Sequence, residues 1–157
     1  MTKPLLAILL LLPLSVSAGE LDGKSLICDS EKFDAVNGYR FEKGSVKTDL
    51  VSGFKIVKKQ NGEWDSVHGD YSIEKDSYSF DDDVYIVDRT EIRWGKTTFK
   101  TLNRQTLELV VSMKELPKLE EWQCNVYLNE ADYWGRLENI RKQKQKAADE
   151  VTKDNKI

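Results

Sequence analysis

Val46-Lys47-Thr48-Asp49-Leu50-Val51-Ser52-Gly53-Phe54-Lys55-Ile56-Val57-Lys58-Lys59-Gln60-Asn61-Gly62-Glu63-Trp64 is the stretch that decides the fold. Val46, Thr48 and Leu50 alternate with Lys47 and Asp49, and Phe54 and Ile56 flank Lys55. Every second side chain therefore faces a core, which is the period of a strand and not of a helix. The Asn61-Gly62 pair then supplies residues that tolerate the positive φ of a tight hairpin, so the chain must turn back near Trp64. The alternation continues on both sides. Tyr39 and Phe41 alternate with Arg40 and Glu42, Tyr71 and Ile73 with Ser72 and Glu74, Tyr78 and Phe80 with Ser79, and Ile92 and Trp94 with Glu91 and Arg93. Segments from Thr97 to Thr101 and from Thr106 to Ser112 flank a reverse turn at Leu102-Asn103-Arg104-Gln105, and a last strand runs from Trp122 to Leu128. Short amphipathic strands with no helices between them predict an all-β antiparallel meander rather than a parallel α/β sheet.

The chain of 157 residues carries two cysteines, Cys28 in Leu26-Ile27-Cys28 and Cys124 in Trp122-Gln123-Cys124-Asn125-Val126. Both stretches are strand-like, and neither has the C-x-x-C or histidine-rich company of redox or metal sites. The N-terminus explains their state. Lys3 gives a positive start, Leu5 to Leu14 form an apolar run, and Val16-Ser17-Ala18 places small residues where a signal peptidase cleaves. The apolar run is too short for the ~20 residues of a bilayer span, so residues 1–18 read as an export leader. In an oxidising compartment a lone cysteine pair reads as a disulfide. A bridge closing so long a loop contributes on the order of 4 kcal/mol. It makes geometric sense if the first and last strands are neighbours, as they are when a meander closes into a barrel and loses its edges. An open sandwich with the bridge between sheets is the competing arrangement.

Residues 19–128 form the predicted β-barrel domain, and residues 129–157 a C-terminal helix with a charged tail. Asn129 can cap a helix with Glu130 and Asp132 in its first turn, while Ala131, Trp134, Leu137 and Ile140 recur three apart on one stripe. Arg141-Lys142-Gln143-Lys144-Gln145-Lys146 and the polar segment to Ile157 have little to bury, which predicts a solvated, frayed or disordered tail that can be removed beyond about Lys142 at small cost. Charged residues make up 32% of the chain, and losing Lys3 with the leader takes the formal net charge from −3 to −4. That balance argues against a nucleic-acid partner, which would need a basic face.

Motifs for chemistry are sparse. The single histidine, His68, sits in Ser66-Val67-His68-Gly69-Asp70, reads as an exposed turn residue, and has no G-x-S-x-G elbow to serve. Asp81-Asp82-Asp83 offers oxygen ligands but lacks the spacing and the twelfth-position glutamate of a calcium loop, so it reads as a solvated turn and not a metal site. The aromatics carry more. Tyr39, Phe41, Phe54, Tyr71, Tyr78, Phe80, Trp94 and Trp122 share the inward parity, so the interior is either a packed aromatic core or a ligand cavity. The ligand-binding candidates are Tyr39, Phe41, Tyr71, Phe80, Trp94 and Trp122.

The run Glu91-Ile92-Arg93-Trp94-Gly95 with Leu102-Asn103-Arg104-Gln105-Thr106-Leu107-Glu108-Leu109, set between Gly38-Tyr39-Arg40-Phe41 and Trp122-Gln123-Cys124, resembles small secreted bacterial proteins of lipocalin-like appearance, mostly uncharacterised. The resemblance covers most of Leu21 to Leu128 and implies a small barrel able to carry a ligand. The lipocalin G-x-W is absent, since Gly23 is followed by Lys24 and Ser25. There is also a fainter similarity to periplasmic lysozyme inhibitors, which insert an S-G-x-x-aromatic loop. Here Ser52-Gly53-Phe54-Lys55-Ile56 has isoleucine where the aromatic belongs. The expectation is a periplasmic or secreted, monomeric, non-enzymatic binding module without cofactor or membrane span, holding a small apolar ligand. An inhibitor of a basic protein partner is the alternative, and a carboxylate-based hydrolase the third.

Overall fold

The computed structural model describes residues 20–29, 35–58, 62, 64–77, 83–114 and 116–154. The leader over 1–18, Tyr78, Phe80, Asp81 and Asp82 lie outside them. Ten strands precede one helix: β1 (Ser25–Asp29), β2 (Val36–Glu42), β3 (Ser45–Lys58), β4 (Trp64–Glu74), β5 (Asp83–Val84), β6 (Ile86–Val87), β7 (Glu91–Trp94), β8 (Thr98–Asn103), β9 (Glu108–Met113), β10 (Leu116–Tyr127) and α1 (Glu130–Asp154). Their order across the sheet is β4-β3-β2-β1-β10-β9-β8-β7-β6, with β5 on β3. The antiparallel meander and the C-terminal helix are thus both present. The path of ladders is open: it ends at β4 on one flank and at β6 on the other.

Along that path the one non-sequential neighbour is the pair β1–β10, where Cys28 lies directly opposite Cys124. These cysteines form the disulfide, with Cα atoms 4.0 Å apart, and both are fully buried. At the other end of β2, Lys43 (φ 50°) and Gly44 (φ 77°) make a two-residue turn between Glu42 and Ser45, the positive φ at both positions matching the twist of the strands it joins. β3 and β4 pair as an antiparallel hairpin up to Lys58 opposite Trp64, as the Asn61-Gly62 reading requires, while Asn61 itself lies outside the described residues. The β8–β9 turn falls slightly later than the sequence indicated. Asn103 ends β8 and its side-chain oxygen accepts the N–H groups of Gln105 and Thr106, an Asx turn that leaves Leu107 at φ 57°.

Strand alternation sorts side chains onto two buried faces. One packs Leu26 and Cys28 from β1 with Tyr39 and Phe41 from β2 and Ile92 and Trp94 from β7. The opposite face buries Ile27, Val36, Val51 and Tyr71 beneath Tyr133, Leu137 and Ile140 of α1. Two aromatic residues expected on the inner face therefore sit elsewhere. The register shifts between Ser52 and Phe54, and this bulge turns Phe54 outward, where it is 47% exposed. Tyr71 keeps its alternation but belongs to the helix-covered face, which a one-core reading of β4 cannot foresee. His68 and Gly69, expected at a turn, lie within β4.

The helix begins as the sequence indicated. The Asn129 side-chain oxygen accepts the Asp132 N–H at 2.8 Å, a cap on the first turn. Leu137 and Ile140 of the expected stripe are buried and Trp134 packs against the same cluster, but in the first turn fully buried Tyr133 takes the place expected of Ala131, which is exposed. The helix also runs to Asp154, past the point where the polar sequence suggested fraying. The reason lies at the sheet edge. β4 ends the path of strands, and α1 serves its free backbone: the Tyr71 N–H donates to Gln145 Oε1 at 2.7 Å, and Arg141 donates to the Tyr71 carbonyl at 3.4 Å. Ala148 packs against the same cluster. Truncation after Lys142 should consequently cost about 1–2 kcal/mol by denaturant unfolding, through the lost bond and packing. An unchanged midpoint would contradict this edge-covering role.

Candidate functional site

Four of the six sequence-predicted residues meet on the inner face. The rings of Tyr39 and Trp94 stand edge to face with centroids 5.2 Å apart, and Phe41 makes similar contacts with Tyr85 at 5.1 Å and Trp94 at 5.8 Å. Such edge-to-face pairs align the positive rim of one ring with the negative face of the next, worth about 0.5–1.5 kcal/mol each beyond burial. Trp122 joins the same cluster. Tyr71 lies on the opposite face, and Phe80 is outside the described residues.

One end of this face is sealed. The turn from Glu20 to Lys24 places Leu21 in the inner cluster, and the Leu21 N–H donates to the Tyr85 hydroxyl at 3.3 Å. That hydroxyl donates to Asp22 Oδ1 at 3.0 Å, and the same oxygen accepts the Gly44 N–H. Toward the other end exposure rises along β9, from 0% at Leu109 through 6% at Val111 to 39% at Met113. Just inside that opening, the register sets Trp94, Lys100, Val111 and Glu120 side by side on β7, β8, β9 and β10. Glu120 Oε2 accepts the Trp122 Nε1–H at 2.8 Å. The Trp94 indole is 4% exposed, and its Nε1–H has no hydrogen-bond partner. The only other such buried side-chain atom among the described residues is Ser77 Oγ.

A second constellation, which sequence reasoning missed, sits beneath α1. Asp49 is fully buried, and its carboxylate accepts bonds from Arg40 Nε (2.8 Å) and Nη2 (3.2 Å), the Asp76 N–H (3.1 Å) and the Tyr133 hydroxyl (2.7 Å). Arg40 also pairs with Glu42 and Asp76, and stacks over the Trp134 ring at 5.3 Å. Local sequence makes this possible. Gly38 lies opposite Asp49 in the β2–β3 ladder, and a Cβ there would fall 2.0 Å from the Tyr133 hydroxyl, so the missing side chain is the slot through which the tyrosine reaches. The Asp49 hydrogen bond holds the Arg40 guanidinium more firmly protonated than usual. Burial, and then Asp49, raise the Tyr133 phenol well above its ordinary value of 10.0. Alternation placed Asp49 on a polar face, and no sequence signal marks that face as covered.

An open groove of about 830 Å³ lies between Gly69–Tyr71 and the outer turns of α1 from Lys144 to Lys153. Its walls mix Asp70, Asp149 and lysines with small apolar residues. Among the described residues no group of three histidine, cysteine, aspartate or glutamate side chains could hold a metal ion, and no helix is long and apolar enough to cross a membrane.

The Asp49 cluster reads as a lock for the helix. Asp49→Ala, which strands Arg40 and Tyr133, should cost about 3–5 kcal/mol, whereas Tyr133→Phe should cost about 1.5–3. Because folding raises the Tyr133 pKa, its contribution is intact below the unfolded value near 10 and is lost as pH rises above it. Urea unfolding between pH 9 and 11 should show a shallower alkaline loss in Tyr133→Phe than in the wild type, and parallel curves would contradict the assignment. Compared with protein-family models, curated proteins and solved structures, the chain matches none.

Proposed function

We propose that this chain is an exported, non-enzymatic binding module that holds a small apolar molecule against the inner face of a lipocalin-like barrel. Residues 83–87 support the barrel reading. Val84 and Ile86 are exposed while Tyr85 and Val87 pack inward, one unbroken alternation, and the segment pairs β3 through β5 and β7 through β6. Taken as a single strand kinked at Tyr85, it would link β3 to β7 around the inner face, as a closing barrel requires, while the outer edge of β4 is left to α1. Export is supported by the leader at 1–18 and by the Cys28–Cys124 bridge, a bond that persists in oxidising compartments.

The observation that carries the ligand is the Trp94 Nε1–H, buried among aromatic rings near the open end without an acceptor. A buried donor left unpaired costs about 1–3 kcal/mol, a cost that a bound molecule with an acceptor removes. The inhibitor reading has one observation in its favour: Phe54, half-exposed on β3 beyond the last residue paired with β2.

Solvent extraction of freshly purified protein followed by mass spectrometry should recover an apolar compound, and an environment-sensitive apolar dye should bind saturably. Trp94→Phe, which keeps a ring and deletes the donor, should weaken dye displacement by the extracted compound. No recovered compound and no saturable binding would overturn the carrier and leave Phe54→Ala to be tested for loss of protein binding.

A further inference from the structure

One buried member of the inner cluster is not supplied by the sheet. Leu21 comes from the turn over residues 20–24, whereas the other buried side chains of that cluster stand on strands or, for Tyr85, between two of them. The turn is held differently at its two ends. From Gly23 onward the backbone is fixed to β2: the Gly23 N–H donates to the Phe41 carbonyl at 2.9 Å, and the Phe41 N–H donates to the Lys24 carbonyl at 3.0 Å. Before Gly23, among the described residues, every hydrogen bond to the rest of the protein passes through a side chain. The Leu21 N–H reaches the Tyr85 hydroxyl, that hydroxyl and the Gly44 N–H converge on Asp22 Oδ1, and Glu20 pairs with Arg104 at 3.0 Å. Glu20 and Asp22 are exposed, while Leu21 is buried between them. Gly23 joins the two halves at φ 82°, a conformation that a residue with a side chain rarely adopts, with open space around it. Gly23 is thus placed as a hinge, Asp22 with the Tyr85 hydroxyl as a latch, and Leu21 as a plug.

We infer that this turn is a resident plug of the inner face, released about Gly23 when an apolar ligand takes the place of Leu21. The exchange of occupants rests on the carrier reading and adds to it the step by which the face becomes available. A ligand that joins the cluster competes with the side chains already there, and those on strands can leave only with their ladders. Leu21 leaves with the Tyr85, Asp22 and Glu20 bonds, which water replaces once the turn is open, and the apolar area it uncovers is covered again by the ligand. Openings of this kind lie at the low end of a protein's local stabilities, well below global unfolding. Tyr85 ties the latch to the cluster, since the ring that carries its hydroxyl packs edge to face on Phe41 at 5.1 Å.

Amide exchange followed by NMR on the full disulfide-bonded chain, with and without saturating phenylnaphthylamine as a neutral apolar probe, tests the plug. On saturation the Leu21 and Gly44 amides should lose protection together, by at least about tenfold, while the Cys124 amide, bonded to the Leu107 carbonyl, keeps its own. Tyr85→Phe keeps the ring and deletes the hydroxyl. In the free protein it should speed exchange at Gly44 as well as at Leu21, although the Gly44 N–H is bonded to Asp22 and not to the tyrosine; a rise at Leu21 alone would overturn the latch. Leu21→Ala should bind the probe several-fold more tightly than the wild type, whereas Leu137→Ala, the same truncation on the helix-covered face, should not. Saturable binding with Leu21 protection unchanged, no gain in Leu21→Ala, or an equal gain in Leu137→Ala would overturn the plug and leave the carrier intact. Saturable binding to neither the wild type nor Leu21→Ala would overturn both.

Discussion

The pairing of β1 with β10 is the constraint on which the rest of the structure depends. Each other ladder along the strand path joins strands close in sequence, and the β1–β10 ladder alone joins the first strand to the last. Without it the strand path would divide into two meanders, β1–β4 and β6–β10, each with half a core. The disulfide crosses this seam, Cys28 opposite Cys124, and removes much of the entropy that the open chain would otherwise gain by separating its ends. Both faces of the seam are used. Leu26 and Cys28 point into the aromatic cluster, whereas Ile27 points to the helix.

A sheet covered on both sides must account for its polar groups on both sides, and the two faces do so differently. Beneath α1 the buried Asp49 charge is answered by four donors, one of them brought by the helix, so the helix docks in one register set by Gly38 and Tyr133. On the inner face the polar groups of Glu120 and Trp122 answer each other, and that of Trp94 is left over. The contrast separates a structural cluster, complete in itself, from one that has an unmet indole donor.

Much of the fold was legible because strands with one buried side advertise themselves. The alternations at Tyr39–Phe41 and Ile92–Trp94, the Asn61-Gly62 turn, the Asn129 cap and the pairing of the two cysteines all followed from local rules. The failures have physical causes. A bulge after Ser52 inverts parity at Phe54, and nothing in the flanking residues signals it. Tyr71 and Asp49 alternate as expected, but which face is covered depends on where a helix far along the chain docks, 84 residues from Asp49 at Tyr133. The polar turns of α1 looked solvated because apolar spacing is the visible signal, whereas Gln145 and Arg141 are held by hydrogen bonds to a strand edge. Of the candidate site, the aromatic members on the inner face were readable. Lys100 was not, since in sequence it is one lysine among many and only the register sets it beside Trp94.

The Trp94 indole N–H reports most directly on whether the inner face is a binding surface. With ¹⁵N-labelled indole groups, its resonance should move downfield and its exchange with water should slow on saturation with the apolar compound recovered by extraction, while the Trp134 indole, bonded to Glu130 at 2.9 Å on the outer helix, stays where it is. A Trp94 resonance unchanged at saturating ligand, or a shift confined to Trp134, would contradict the account.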